Sequence, residues 1–385
     1  MASPPPPSWL AQRLVAAGGA VGFRTYMDWA LHDPEHGAYG AGHLAIGADG
    51  DFVTAPSLGP EFAALLAPQC AQWLQELGEG PLALLEAGPG EGSLAADLAA
   101  ALAAGWPQLA ARTELVLLEP NPGMAARQRQ TLSTCPLACR WSSFAELATA
   151  PLRGVLLAHE VLDALAVERI VWEGGAWCQQ RVALGPDGGL ALEAGDPLEA
   201  SQVPLLERLD LLPAAPGRGC GWCTELHPGL APWLEQAAAA VTQGQLLVID
   251  YALSAGRYYH PTRAAGTLMA YRRQVASGDP LLEPGCWDLT AHLCLESLEE
   301  AALGAGWHSL GGCRQGQALL ALGLAQRLHG LQGEEAQPLP ELLRRREALL
   351  RLVDPLALGE FHWQAFQRGL PAGPMPLFLR EPAPA

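Results

Sequence analysis

Lysine is absent from this chain of 385 residues, and all 23 of its basic residues are arginine. Lysine forms the Schiff base of pyridoxal enzymes, and it contacts the phosphates in P-loop ATPases and protein kinases. Its absence therefore excludes these three classes of enzyme.

Positive charge of any kind is scarce, because 40 acidic residues leave a net charge of -17. Nucleic-acid-binding proteins usually present a basic surface to the phosphate backbone, so we expect no nucleic-acid partner.

Long apolar runs are missing too. No stretch of about 18 uninterrupted apolar residues occurs, which predicts a chain without a membrane span.

Cysteine is infrequent and irregularly spaced. Nine cysteines occur in a large chain without a signal-peptide pattern, which favours reduced thiols and a cytoplasmic location. Cys220 and Cys223 form a lone C-x-x-C pair without a second pair or a nearby histidine set, so we expect no metal site.

The most informative stretch is an apolar run at 82–85, which is followed by Glu86 and then by Gly88, Gly90 and Gly92. A helical pattern begins directly after the glycines, so the stretch predicts a strand, a tight turn and a helix. The turn has no Walker lysine, and its spacing is tighter than G-x-G-x-x-G. It resembles the turn of S-adenosyl-L-methionine (SAM) methyltransferases, in which the glycines pass under the cofactor. The alternative is a strand-to-helix loop without a ligand.

The second predicted strand also ends in an acidic residue. The apolar run 115–118 is followed by Glu119, at the position where α/β nucleotide sites bind the hydroxyl groups of a ribose. A carboxylate can accept both of those hydrogen bonds, so Glu119 is the ribose candidate. The alternative is a solvated acid at a helix start. After the next strand, Trp141 and Ser142 are expected to lie against an adenine ring.

The remaining pattern predicts an α/β fold with a Rossmann-like sheet. We expect an N-terminal helical cap over residues 1–78 and a Rossmann-like methyltransferase domain over 79–325. A hairpin and loop insertion interrupts that domain at about 167–228, and a C-terminal helical tail covers 326–385.

Three local predictions follow from the same patterns. Alternation around Glu173, Gly174 and Gly175 predicts the hairpin of the insertion. An antiparallel pair is expected within 307–324, and Asp288 is expected to cap a helix that runs to about 304.

Several stretches together resemble the MidA-type family of SAM-dependent methyltransferases, whose mitochondrial members help to assemble respiratory complex I. The stretches span about residues 20–325. They are Tyr26-Met27, Asp33 to Tyr39, Gly50 to Pro56, Glu86 to Gly92, His159 to Leu165, Ile249 to Tyr251, Asp288 to His292 and Gln315-Gly316. The resemblance implies SAM as cofactor and methylation of arginine in a protein substrate, with a complex I subunit as the candidate.

The chain departs from the family pattern at a few positions. Glu91 stands where the family usually has arginine, Val161 and Leu162 replace two aromatic residues, and Ala166 replaces a proline. These changes affect the expected fit of the substrate more than the binding of the cofactor.

The resemblance also implies roles at the strand ends. Glu160 is the first candidate to hold a guanidinium group, with Asp163 as its partner at i, i+3 spacing, and His159 is a candidate general base. A helix-start acid and a packing histidine are the alternatives for Asp163 and His159. We further expect Tyr26, Asp51 and Tyr39 to close the N-terminal helices over the cofactor.

Two other functions fit the same turn. One is a nicotinamide-dependent oxidoreductase, against which the glycine spacing argues. The other is a non-catalytic assembly factor that retains the SAM-binding fold. The sequence leaves the oligomeric state open, a homodimer included.

Overall fold

The computed structural model describes residues 5–44, 47, 50–212, 217–331 and 337–382. Its helices are α1 (Ser8–Ala16), α2 (Phe23–His32), α3 (Glu61–Glu76), α4 (Ser93–Gly105), α5 (Pro107–Ala110), α6 (Pro122–Thr131), α7 (Phe144–Thr149), α8 (Val203–Arg208), α9 (Leu230–Ala240), α10 (Ala255–Tyr258), α11 (Leu295–Gly304), α12 (Gln315–Ala321), α13 (Leu324–Gly330) and α14 (Leu339–Leu352). Within those ranges, no helix combines the length and the apolar character that crossing a lipid bilayer requires.

The strands of the described residues form four sheets. They are β1 (Ala20–Gly22), β2 (Leu82–Ala87), β3 (Thr113–Leu118), β4 (Cys139–Ser142), β5 (Leu152–His159), β6 (Glu168–Glu173), β7 (Ala176–Leu184), β8 (Leu190–Pro197), β9 (Cys223–Leu226), β10 (Val241–Asp250), β11 (Ala252–Leu253), β12 (Met269–Arg272), β13 (Val275–Ser277), β14 (Asp288–Thr290), β15 (Leu293–Cys294), β16 (His308–Arg314) and β17 (His362–Arg368).

The central sheet has seven strands in the order β4-β3-β2-β5-β10-β17-β16. The first five strands are parallel, and β17 runs antiparallel to both of its neighbours. Counted along the sheet, the parallel strands have the 3-2-1-4-5 order of a Rossmann-type fold, whose ligands bind at the carboxyl ends of the strands. The prediction of a Rossmann-like α/β fold is confirmed.

Strand β2 lies in the middle of this sheet and is buried throughout. Leu82 and Leu84 point into one core, which contains residues of α3, α4, α12 and α14. Ala83 and Leu85 point into the other core, which contains residues of α9 and α11. Burial on both faces explains why the sequence of this strand is a continuous apolar run.

The insertion contains the predicted hairpin. Strands β6 and β7 pair antiparallel around Gly174 and Gly175, whose positive φ angles of 59° and 83° suit a tight turn. A five-stranded sheet forms in the order β1-β7-β6-β9, with β8 on β7. Strand β1 comes from the predicted N-terminal cap, so the cap and the insertion form one structural unit.

The prediction of an antiparallel pair within 307–324 is wrong. This segment contains one strand, β16, and α12 follows it directly. The antiparallel partner of β16 is β17, which lies about 50 residues further along the chain. Gly311, in the middle of that segment, lies at a register irregularity of β16 rather than in a turn between two strands. The predicted helical tail therefore contributes a strand to the central sheet, and a division at residue 325 would separate β17 from both neighbours.

The prediction that Asp288 caps a helix is also wrong. Asp288 begins β14, which pairs with β12 so that Asp288 and Tyr271 are Cα partners. Helix α11 begins only at Leu295. The pairing with β12 is non-local, so the local cap pattern could not reveal it.

The packing of β17 predicts the effect of one substitution in the tail. Trp363 is fully buried between Phe62 and Phe378. Removing a buried tryptophan side chain usually costs about 3–5 kcal/mol, so Trp363→Ala should lower the free energy of unfolding by that amount in urea titrations. Leu356→Ala is the control, because Leu356 is 95% exposed and should change stability by less than about 0.5 kcal/mol. Equal stability of the two variants would contradict the placement of β17 inside the sheet.

Candidate functional site

A cavity of about 920 Å³ lies at the carboxyl ends of β2, β3, β4 and β5. Polar residues line it from the strand ends and from the loop that follows α2. The predicted site residues among them are Tyr39, Glu86, Gly88, Gly90, Glu119, Ser142, His159 and Glu160. The structure thus brings most of the predicted residues to one space, as expected for strand ends of a parallel sheet.

The floor of the cavity is the glycine turn. Gly88 and Gly90 both line it with positive φ angles of 58° and 53°. A Cβ on Gly88 would lie 3.0 Å from Cγ2 of Val161, closer than most real contacts. Gly92 is the N-cap of α4 with a φ of 83°, and it lies beside Gln128 rather than on the cavity wall. The turn therefore requires glycine for both conformation and space.

Glu86 ends the apolar run of β2 and is almost completely buried. Its Oε2 has no hydrogen-bond partner within the described part of the chain. Burial raises the pKa of this carboxyl to about 8, although the Ala95 amide favours the ionised form. A buried carboxyl group with an open oxygen beside a cavity is suited to a donor or a cation from a ligand.

Glu119 lines the cavity from the end of β3. Its Oε1 accepts the Asn121 amide at 2.8 Å, and its Oε2 accepts the Gln128 side-chain amide at 3.0 Å. A carboxylate offers about four lone-pair positions, so two remain for a ligand. The Gln128 amide also donates to the Gly90 carbonyl at 2.9 Å. Gln128, which is fully buried, therefore holds the carboxylate and the glycine turn together.

Trp141 does not line the cavity, contrary to the prediction. Its indole N–H donates to Gln128 Oε1 at 2.9 Å, and the Arg129 guanidinium lies 4.7 Å from the ring centre. Ser142, the next residue, does line the cavity, because successive residues of a strand point to opposite faces. The aromatic residues on this wall are Phe144 and Trp233, which pack edge-on against each other and which the sequence analysis missed.

Tyr26 and Asp51 also lie off the cavity wall. Tyr26 is fully buried in the N-terminal core, where its hydroxyl donates to the Pro280 carbonyl at 2.8 Å. Asp51 accepts the Arg273 amide at 3.1 Å through its side chain and the Gln274 amide at 2.7 Å through its carbonyl. Both residues hold parts of the fold next to the site. Phe52, which follows Asp51, does line the cavity.

Glu160 lies at the point where β5 ends and the cavity begins. Its φ of 53° is unusual for a residue with a side chain, and its amide donates to the Ile249 carbonyl at 2.9 Å. Its side chain is 12% exposed, and Oε1 lies 3.5 Å from Nδ1 of His159. Left-handed conformations of such residues concentrate at functional sites.

His159 is buried between aromatic rings. Phe62 meets its ring edge-on, and Phe361 stacks on it at 6.2 Å between ring centroids. Burial lowers its pKa to about 3, so the imidazole is neutral at physiological pH. A pKa this low makes His159 a weak general base.

Three further carboxyl groups lie close to Glu160, and each is at least 95% buried. They are Asp163, Asp250 and Asp288. We call these four residues the acidic cluster. Burial raises the pKa of each carboxyl group: to about 7 for Asp250, to about 8 for Asp288, and well above the ordinary range for Glu160 and Asp163. Repulsion from neighbouring carboxylates adds to the rise for Glu160, Asp163 and Asp288, whereas backbone amides that donate to Asp250 oppose it there. No arginine of the described ranges forms an ion pair with any of them.

Asp163 contributes to the acidic cluster but not to the cavity wall. Its amide and that of Leu162 donate to Asp250 Oδ2 at 3.2 and 3.0 Å. Asp250 therefore fixes the backbone that follows Glu160. Asp250 belongs to the stretch Ile249 to Tyr251 of the family resemblance, and the sequence analysis gave it no role of its own.

Comparisons with known proteins agree with this site. Residues 65–313 match a family described as “Putative S-adenosyl-L-methionine-dependent methyltransferase”. The chain is 27% identical over 369 residues to the mitochondrial protein arginine methyltransferase NDUFAF7 homolog of Drosophila melanogaster, covering 90% of this chain and 80% of that protein. For the NDUFAF7 protein of Rattus norvegicus, the identity is 26% over 381 residues, with 91% and 82% covered.

A solved structure is similar over its full length. The crystal structure of a Burkholderia thailandensis protein bound to S-adenosyl-homocysteine (SAH) has a TM-score of 0.85 and 31% identity to this chain, and 99% of each chain is covered. The open Glu86 oxygen, the glycine floor and the free lone pairs of Glu119 fit the ammonium group, the amino-acid portion and the ribose of SAM. These findings decide against a nicotinamide-dependent oxidoreductase. The chain belongs to the MidA-type family of SAM-dependent methyltransferases.

Proposed function

We propose that this methyltransferase transfers the methyl group of SAM to an arginine side chain of a protein substrate. The observation that carries the proposal is the acidic cluster, in which four buried carboxyl groups lie together without an arginine partner among the described residues. Burial of uncompensated carboxyl groups is costly, and a guanidinium from outside the chain would relieve that cost. The NDUFAF7 relatives, which are named protein arginine methyltransferases, support the same acceptor.

The cofactor would be held by residues of the cavity. Glu119 would accept hydrogen bonds from the ribose hydroxyl groups, the glycine turn would lie under the amino-acid portion, and Glu86 would accept from its ammonium group. Ser142 and Phe144, which line the cavity, would border the adenine ring. Bound SAM supplies an electrophilic methyl group on a sulfonium centre.

Glu160 is the proposed ligand of the acceptor. A carboxylate binds guanidinium bidentately and draws positive charge away from the attacking nitrogen. When that nitrogen forms its bond to the methyl carbon, it loses one proton. Glu160 is the better acceptor for that proton, because its pKa is raised and that of His159 is lowered to about 3. Asp163 supports Glu160 from behind the cavity wall.

The substrate is proposed to be a folded or nascent protein in the cytoplasm. All nine cysteines are free in the structure, in keeping with a reducing compartment. The resemblance to the complex I assembly family makes a subunit of that complex the first candidate substrate. The rival hypothesis, a non-catalytic assembly factor, predicts SAM binding without methyl transfer.

Glu119 provides a test of the cofactor site. Glu119→Gln removes the carboxylate charge that would strengthen the hydrogen bonds from the ribose hydroxyl groups. The Kd of SAM in calorimetry should therefore rise about 10- to 100-fold. Glu114→Gln on β3, the strand that Glu119 follows, is the control. Glu114 is half-exposed, pairs with Arg140 at 3.0 Å, and lies away from the cavity, so its Kd should match that of the wild type. An unchanged Kd for Glu119→Gln would remove Glu119 from the cofactor site.

Glu160 provides a test of the reaction. The protein is incubated with radiolabelled SAM and an extract of the source organism, and label is measured in arginine after hydrolysis of the labelled protein. Glu160→Gln should lower the rate of labelling at least about 100-fold, as expected for loss of a general base, while the Kd of SAM stays within twofold. Glu300→Gln, on an exposed pair with Arg208, should label at the wild-type rate. SAM binding without any labelling by the wild type would favour the assembly factor.

A further inference from the structure

A second cavity, of about 530 Å³, lies where α10 ends and the chain leads towards β12. It shares no lining residue with the cofactor cavity. Two of its lining residues are arginines, although the chain as a whole has a net charge of -17. We call it the arginine pocket, and its lining residues are Arg257, His260, Thr262, Arg263, Ala264, Ala265 and Gly266.

The two arginines of the pocket lie close to each other without an acidic partner. Arg263 donates through Nε to the Arg257 carbonyl at 3.4 Å, so its side chain returns to the end of α10. Neither arginine forms an ion pair with a carboxylate of the described residues. Arg263 keeps the four N–H groups of its two terminal nitrogens for other acceptors. Two positive charges therefore line one cavity, and the described chain supplies no counterion for them.

His260 adds a third hydrogen-bond donor to the lining. Its Nδ1 accepts the Thr262 amide at 3.3 Å and lies 2.8 Å from the Thr262 hydroxyl. Because a backbone amide can only donate, Nδ1 is the acceptor of the ring, and the proton of the neutral imidazole is on Nε2. The free nitrogen of His260 is thus an N–H donor, like the guanidinium groups beside it.

The remaining wall of the pocket is held in place from behind by the insertion. The Ala264 carbonyl accepts the Cys223 amide at 2.9 Å, and the Ala265 carbonyl accepts the Arg169 guanidinium at 3.0 Å. Gly266 has a φ of 74°, and a Cβ there would lie 2.1 Å from Oε1 of the buried Glu225. The negative charge of Glu225 is matched by Arg169, 3.5 Å away, and Glu225 does not line the pocket. The pocket is therefore preorganised, and its charge is positive.

We propose that the arginine pocket is a binding site for a phosphate group. The inference is independent of the proposed function. Near neutral pH a phosphate monoester carries a charge of about -1.5 to -2, which two guanidinium groups match, whereas a carboxylate would leave one of them uncompensated. Arginine binds phosphate oxygens bidentately, and the three terminal oxygens of a monoester can accept from Arg257, Arg263 and His260 together.

The volume of the pocket indicates what carries the phosphate group. A cavity of about 530 Å³ is of the size that holds a small organic molecule and is larger than a bare phosphate ion needs. The carrier is either a small phosphate ester or a phosphorylated side chain of another protein. Both present the same group to the pocket.

The test measures the binding of inorganic phosphate to the full chain by calorimetry, in Tris-chloride buffer at constant ionic strength and about pH 8, where phosphate is mainly a dianion. The wild type should bind phosphate at least about tenfold more tightly than acetate, and Arg257→Gln and Arg263→Gln should each raise the Kd of phosphate about tenfold or more. Arg346→Gln is the control, because it removes the same charge from an exposed position on α14, outside the pocket. Saturation with SAH should leave the Kd of phosphate unchanged, because the two cavities share no residue.

Two results would overturn the inference. One is a wild type that gives no heat at about 10 mM phosphate, and the other is a Kd that is equal in the wild type and both pocket variants. If Arg263→Gln fails to fold, Arg257→Gln alone decides, because the Arg257 side chain is exposed and its loss removes no packing. Neither result affects the proposed function, because the Kd of SAH should match that of the wild type in every variant.

Two further probes then distinguish the possible carriers of the phosphate group. They are glycerol 3-phosphate and N-acetyl-O-phospho-L-serine methylamide. Tighter binding of the phosphoserine probe would support a phosphorylated protein as the ligand. Tighter binding of glycerol 3-phosphate would support a small phosphate ester.

Discussion

The site depends on how the ends of β5 and β10 are joined. Asp250, at the end of β10, is fully buried and accepts the amides of Leu162 and Asp163 through one oxygen and that of Tyr251 through the other. These bonds hold the backbone in a turn that starts from the left-handed conformation of Glu160, which costs about 1–3 kcal/mol by itself. The parallel pairing of the two strands adds the bond from the Glu160 amide to the Ile249 carbonyl. Backbone geometry at one edge of the sheet thus places the proposed acceptor carboxylate.

Burial disfavours the ionised form of the acidic cluster, and a positively charged ligand would offset that free-energy cost. Its carboxyl groups have raised pKa values, about 7 for Asp250 and about 8 for Asp288. The folded protein therefore holds protons that the unfolded chain loses above about pH 4, so stability from these groups is present in acid and is lost as the pH rises through 7 to 8. A bound cation favours the ionised carboxylates and offsets that loss. The guanidinium of the proposed arginine substrate would be such a cation.

The sequence predicted features that depend on neighbouring residues. The glycine turn, the strand end at Glu119 and the hairpin around Gly174 all follow from local patterns, and the fold class follows from their order. The sequence could not predict β17, because its two partners in the sheet are distant in the chain. Nor could it predict that Asp288 begins a strand, because β14 pairs with the earlier strand β12 and not with its direct neighbours in the sequence. Trp141 was predicted to face the cavity, but only its neighbour Ser142 does so. Side chains of a strand point alternately to its two faces, and the sequence did not show which of the two residues points to the cavity.

The central claim is that the acidic cluster accepts a guanidinium beside the cofactor. A crystal structure of the protein with SAH and N-acetyl-L-arginine methylamide tests this claim most directly. The account predicts a guanidinium within hydrogen-bond distance of Glu160, with one nitrogen facing the sulfur of SAH. A probe bound elsewhere, with the acidic cluster unchanged and SAH in the cavity, would contradict it.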